Sequence, residues 1–132
     1  MPDDTAVFSL PPSGPWSGYY LYPHNDTKHR MHMNLTFTKD GKIDGDGIDD
    51  VALFKIRGLF YRETNQATWT KSYLGMHGVA YCGLYDGRSI CGNWTIGRYS
   101  GGFWIWPKAL SKGEWEAVSV EIEEPDVIES PA

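Results

Sequence analysis

The sequence predicts an all-β domain: an eight-stranded antiparallel up-and-down β-barrel with a short N-terminal arm and an acidic C-terminal tail. Three observations carry that expectation. From Trp16 to Pro107 apolar and polar side chains alternate with period two. Turn signals built on Gly, Asp and Asn interrupt the alternation roughly every 8–12 residues. No run keeps the helical period. Short loops favour sequential antiparallel neighbours, and closing such a meander removes its exposed edges.

In chain order, residues 1–14 are rich in Pro, Ser and Asp and read as an irregular arm. The barrel domain, 15–112, holds strands expected near 15–23, 30–38, 42–49, 52–62, 66–74, 78–84, 88–97 and 102–107. Glycines within these alternating strands mark close packing, bends or bulges. Residues 113–132 form the acidic extended tail, where Val118, Val120 and Ile122 alternate with Ser119, Glu121 and Glu123.

Two turns fix register. At Lys39-Asp40-Gly41, a two-residue loop would place Asp44 and Asp46 on the face of Phe37 and Leu35, burying carboxylates. A three-residue loop with Gly41 left-handed instead sets Phe37 opposite Ile43, Leu35 opposite Gly45 and Met33 opposite Gly47. At Tyr85-Asp86-Gly87 a two-residue loop would set Cys82 against Cys91. A three-residue loop puts Ala80, Cys82, Leu84, Ile90, Gly92 and Trp94 on one face and Tyr81, Cys91 and Asn93 on the other. The three-residue loop is preferred, because its faces segregate better and it keeps the thiols apart.

The 132 residues suit one domain, and 41% apolar with 22% charged residues excludes a disordered chain. The formal charge of −5 is a sum of unlike parts. Residues 1–112 hold all twelve Lys and Arg against ten acids, whereas 113–132 hold seven acids and no base. The basic residues are scattered, so no nucleic-acid partner is expected. No stretch approaches the ~20 apolar residues of a membrane helix, and Met1-Pro2-Asp3-Asp4 lacks a signal-peptide pattern, so a cytoplasmic protein with no membrane partner is expected. Two cysteines are too few for a disulfide framework or a zinc site.

Chemistry-bearing residues are sparse. Asp40, Asp44, Asp46, Asp49 and Asp50 fail the EF-hand spacing and read as outward, solvated carboxylates. His24, His29 and His32 lack metal-ligand spacing and read as surface histidines, so neither a metal nor a cofactor is expected. No nucleophilic-catalysis signature is present. A period-two row through Lys71, Tyr73, His77 and Tyr81 shares one side of the sheet if the turn near Gly75 has an odd number of residues. That row is either a solvated face or a polar cluster (Lys71, His77, Tyr81) able to meet an anionic or carbonyl group. The last strand is apolar on both faces, with Phe103 and Ile105 on one and Trp104 and Trp106 on the other. This makes it a candidate homo-oligomer contact.

Gly14-Pro15-Trp16 at the head of the first strand, followed by eight short strands, resembles the calycin barrels: lipocalins, fatty-acid-binding proteins and avidin-like proteins. The length of the strand region is most similar to the avidin-like branch, whose members are often tetramers. Gly18 stands where the avidin-like Gly-x-Trp-x-Asn pattern has its ligand-contacting Asn. The resemblance implies a small ligand in the barrel mouth. The expectation is therefore a non-enzymatic barrel binding a small apolar or aromatic ligand through Trp16, Tyr20, Tyr22, Trp69, Tyr73 and Trp94. The alternatives are an interaction or oligomerisation module with a packed barrel, and a small enzyme using Tyr, His and Lys.

Overall fold

The architecture was obtained as a computed structural model, which describes residues 9–108. The first eight residues and the acidic segment 113–132 lie outside the described residues. Eight strands occupy the rest: β1 (Gly14–Tyr20), β2 (His29–Phe37), β3 (Lys42–Asp49), β4 (Leu53–Tyr61), β5 (Gln66–Tyr73), β6 (Gly78–Tyr85), β7 (Ile90–Ile96) and β8 (Tyr99–Pro107). Each pairs antiparallel with its chain neighbours, and β1 pairs with β8 to close the barrel. None of the described residues forms a helix able to cross a membrane.

Period-two alternation sorts side chains between interior and exterior, as in β2, where Met31, Met33, Leu35 and Phe37 are buried between exposed or half-buried neighbours. The first turn follows the expected register: Phe37 lies opposite Ile43, Leu35 opposite Gly45 and Met33 opposite Gly47, with Gly41 at φ +91°. The two strand glycines are sterically required. A Cβ on Gly47 would sit 2.6 Å from Met33 Cβ and 2.7 Å from Phe54 Cζ.

The turn between β6 and β7 corrects the expected register. Tyr85 pairs with Ile90, Gly83 with Gly92 and Tyr81 with Trp94, so the loop is the four residues 86–89 with Gly87 and Arg88 at its tip, not the three-residue loop that would have put Cys82, Leu84 and Trp94 on one face. Asp86 fixes this. Its Oδ1 accepts from the backbone N–H of Arg88 and of Ser89, both at 2.8 Å, and its own N–H donates to Ser89 O at 3.1 Å. Gly87, at φ +94°, takes the left-handed position the tip needs. Ala80, Cys82, Leu84, Cys91 and Asn93 consequently share the outer face. Both thiols are free and exposed, Cys82 opposite Asn93 and Cys91 opposite Leu84.

One end of the barrel is shut. Pro11 is fully buried there, Pro12 O accepts from Trp16 Nε1 at 2.8 Å, and Ser13 Oγ accepts from Phe37 N–H at 2.9 Å. Above this plug Trp16, Phe37 and Phe60 meet ring to ring, and aromatic and aliphatic side chains fill the interior. The opposite end, ringed by loops 21–28, 50–52, 74–77 and 97–98, is the mouth.

Candidate functional site

The mouth holds a cavity of about 210 Å³. β1 delivers Tyr20 to it, β5 delivers Lys71 and Tyr73, β6 delivers Tyr81, and β7 delivers Trp94. The row Lys71, Tyr73 and Tyr81 thus faces inward, and the reading of it as a solvated face is replaced. Each lies on the same parity as a core residue, Trp69 in β5 and Gly83 in β6, and parity carries them to the interior. His77, Val51, Met76 and Tyr22 complete the rim from the loops.

Beneath the rim lies a buried ionic centre. Lys71 is 1% and Asp49 5% exposed. Lys71 Nζ donates to Asp49 Oδ2 at 2.6 Å, and Tyr73 OH donates to the same oxygen at 2.6 Å. The ammonium is also enclosed by ring faces, 4.6 Å from the Tyr20 centroid, 4.9 Å from Phe54, 5.1 Å from Tyr73 and 5.2 Å from Tyr81. Burial pulls the Lys71 amine below its usual range, against the opposing pull of Asp49. Burial pushes the hydroxyls of Tyr20, Tyr73 and Tyr81 well above theirs, reinforced by hydrogen bonding to Asp50 for Tyr20 and to Asp49 for Tyr73, and by the charge of Asp49 for Tyr81.

Asp50 ties the rim to this centre. Its Oδ1 accepts from Tyr20 OH at 2.5 Å and its Oδ2 from His29 Nδ1 at 2.6 Å. Burial alone would raise the Asp50 carboxyl, but those two hydrogen bonds and the His29 charge hold it below the usual carboxylate range. Two expectations are corrected here. Asp49 is not an outward carboxylate, and His29 is a half-buried group stacked on Tyr20 at 5.0 Å rather than a free surface histidine. Asp49 is the member of this buried centre that the alternation pattern leaves unassigned. The signal was present: Ile43, Gly45 and Gly47 face inward, and the next step of two is Asp49.

Of the aromatic residues expected at the site, Tyr20, Tyr22, Tyr73 and Trp94 line the mouth cavity. Tyr20, Tyr22 and Trp94 stand mutually at 88–89°, three walls of a corner. Trp94 Nε1 donates to Leu21 O at 2.8 Å, which pins the first mouth loop. Trp16 and Trp69 are elsewhere. Trp16 packs at the shut end against Phe37, and Trp69 lies deeper in the core, stacked on Tyr81 at 5.4 Å and edge-on to Phe103. No cluster of three metal-ligating side chains occurs among the described residues.

On the outside, Trp104 is 47% and Trp106 39% exposed, whereas Phe103 and Ile105 are in the core. Leu84, Cys91, Trp104 and Tyr19 follow one another across four adjacent strands. The class defined by these features is a closed, eight-stranded, antiparallel barrel with one plugged end and one aromatic mouth. No protein-family model, curated protein or solved structure matches the chain.

Proposed function

We propose that this chain is a non-enzymatic binding protein that takes one small apolar or aromatic ligand into the barrel mouth. The observation that carries the reading is the cavity of about 210 Å³, walled by Tyr20, Tyr22, Tyr73 and Trp94 and floored by Lys71 and Tyr81. Binding sites combine apolar walls with a few placed polar groups, and drug-sized ligands occupy about 300–1,000 Å³, so this ligand is smaller, of the order of one substituted ring. The up-and-down closure agrees with the resemblance to calycin barrels of the avidin-like or lipocalin-like kind, whose ligands enter at the mouth. Free Cys82 and Cys91 fit a cytoplasmic setting.

Native mass spectrometry against a library of small aromatic metabolites, followed by tryptophan fluorescence quenching compared between the wild type and Trp94→Ala, tests the reading. Binding that is lost in Trp94→Ala supports it; a library with no binder overturns it.

A second reading rests on the exposed pair Trp104 and Trp106. Flanked by Tyr19 and Leu84, they offer an apolar outer face for self-association, to which inward-facing Phe103 and Ile105 contribute only as support. The two readings are compatible, since the mouth and this outer face are separate surfaces.

A further inference from the structure

We propose that Lys71 anchors the ligand covalently: its amine condenses reversibly with the carbonyl carbon of a small aromatic aldehyde seated in the mouth, and Asp49 serves as counter-ion to the resulting iminium. The proposal rests on the mouth being a small-molecule site and names the ligand class for it.

Three features of the site point to an amine reagent rather than a structural cation. Lys71 is among the residues that line the cavity although it is 1% exposed, so its side chain is screened from bulk water yet belongs to the wall of the space a ligand would fill. Among the described residues its one oxygen partner is Asp49; its other near neighbours are Met31 Sδ at 3.5 Å and aromatic faces. An ammonium carries three donors. Burial takes away the water those donors would otherwise have, and this favours surrender of a proton against the hold of Asp49 and the ring faces. A lysine desolvated in an apolar pocket is the general means of activating the amine toward carbonyls.

The step balances within the site. Lys71 Nζ passes one proton across the 2.6 Å contact to Asp49 Oδ2, and the neutral amine attacks the aldehyde carbon. The C–N bond forms as the carbonyl π bond opens, and a proton moves from nitrogen to oxygen to give the carbinolamine. Asp49 then returns its proton to the hydroxyl, which leaves as water through the mouth, and the C=N bond forms. One buried cation replaces another opposite the same carboxylate, so the net charge of the centre is unchanged. A carboxylate ligand has no such balance, because it would bring a third anion beside Asp49 and Asp50. The ring walls of Tyr20, Tyr73 and Trp94 favour an aromatic aldehyde, whose conjugation also spreads the iminium charge.

The test treats the full chain with limiting benzaldehyde and sodium cyanoborohydride, followed by peptide mapping. The expected result is an N-benzyl group on Lys71 at about tenfold or more the occupancy of any exposed lysine, a factor that corresponds to 1.4 kcal/mol of preference. Excess benzyl alcohol, which has the same ring and no carbonyl, should protect Lys71, and Asp49→Asn, which keeps the amine but removes its proton acceptor and counter-ion, should bring the label on Lys71 down to that of exposed lysines. Mapping on the unmodified sequence decides the matter should that variant fail to fold. Benzyl alcohol binding in the mouth with Lys71 labelled no more than exposed lysines would overturn the covalent anchor and leave the binding reading standing. Absence of both binding and label would overturn both.

Discussion

At the residue scale the Lys71–Asp49 pair sets the energetics of the mouth. Two charges taken from water are compensated by a 2.6 Å contact, the Tyr73 hydrogen bond and surrounding ring faces. Removing one partner leaves the other buried and unpaired, so Asp49→Ala should lose about 3–5 kcal/mol in urea denaturation. Lys71→Met/Asp49→Leu should recover most of that loss, since an apolar replacement of a buried pair is often neutral or stabilising. Equal losses in the single and double variants would show that the pair is not coupled.

The tyrosines supply a pH signature. Tyr20, Tyr73 and Tyr81 hold their protons above the ordinary phenol value of about 10 in the folded chain. The unfolded chain releases them there first, so it binds fewer protons and stability falls as pH rises past 10. Lys71 acts oppositely: its folded value is depressed, so the cost of burying its charge is relieved as pH climbs from that value toward 10.5. Three phenols outweigh one amine above pH 10. An ultraviolet titration should therefore show these three phenolates forming only together with loss of the barrel's circular dichroism, and phenolate formation by all three in the folded state would contradict the burial.

Strands and turns, at the scale of elements, divide into legible and illegible cases for physical reasons. The turn at 39–41 could be read because the wrong register would have buried Asp44 and Asp46, and a carboxylate discriminates faces sharply. The turn at 86–89 could not, because Ala80, Cys82, Leu84 and Cys91 give the outer face almost the hydrophobicity of the inner one. There the outcome rests on Asp86 capping two N–H groups, a local hydrogen-bond choice to which hydrophobic pattern is blind. Gly87→Ala should consequently cost about 1 kcal/mol or more by forcing a Cβ into φ +94°. A neutral substitution would mean that the tip lies elsewhere. The aromatic walls were legible as a parity, but the partner of Lys71 lies 22 residues away on another strand and meets it only when the sheet curls.

Closure decides the shape of the whole molecule. The β1–β8 seam turns a meander into a container, the segment from Leu10 to Ser13 seals one end, and the remaining opening is the aromatic mouth. The same closure leaves Trp104 and Trp106 outside on β8. If that face joins copies of the chain, Trp104→Ser/Trp106→Ser should lower the light-scattering mass to that of one chain and leave ligand binding intact. A wild-type chain that already scatters as a monomer would remove the second reading.

The mouth, on the function proposed above, receives a small aromatic molecule. Chemical-shift mapping of the full chain with benzyl alcohol tests this most directly. Saturable shifts are expected at residues 20–22, 50–52, 71–81 and 94–96, with the shut end around Trp16 and Phe37 unmoved. No saturable shift, or shifts confined to the shut end or to the outer face at Trp104, would contradict it.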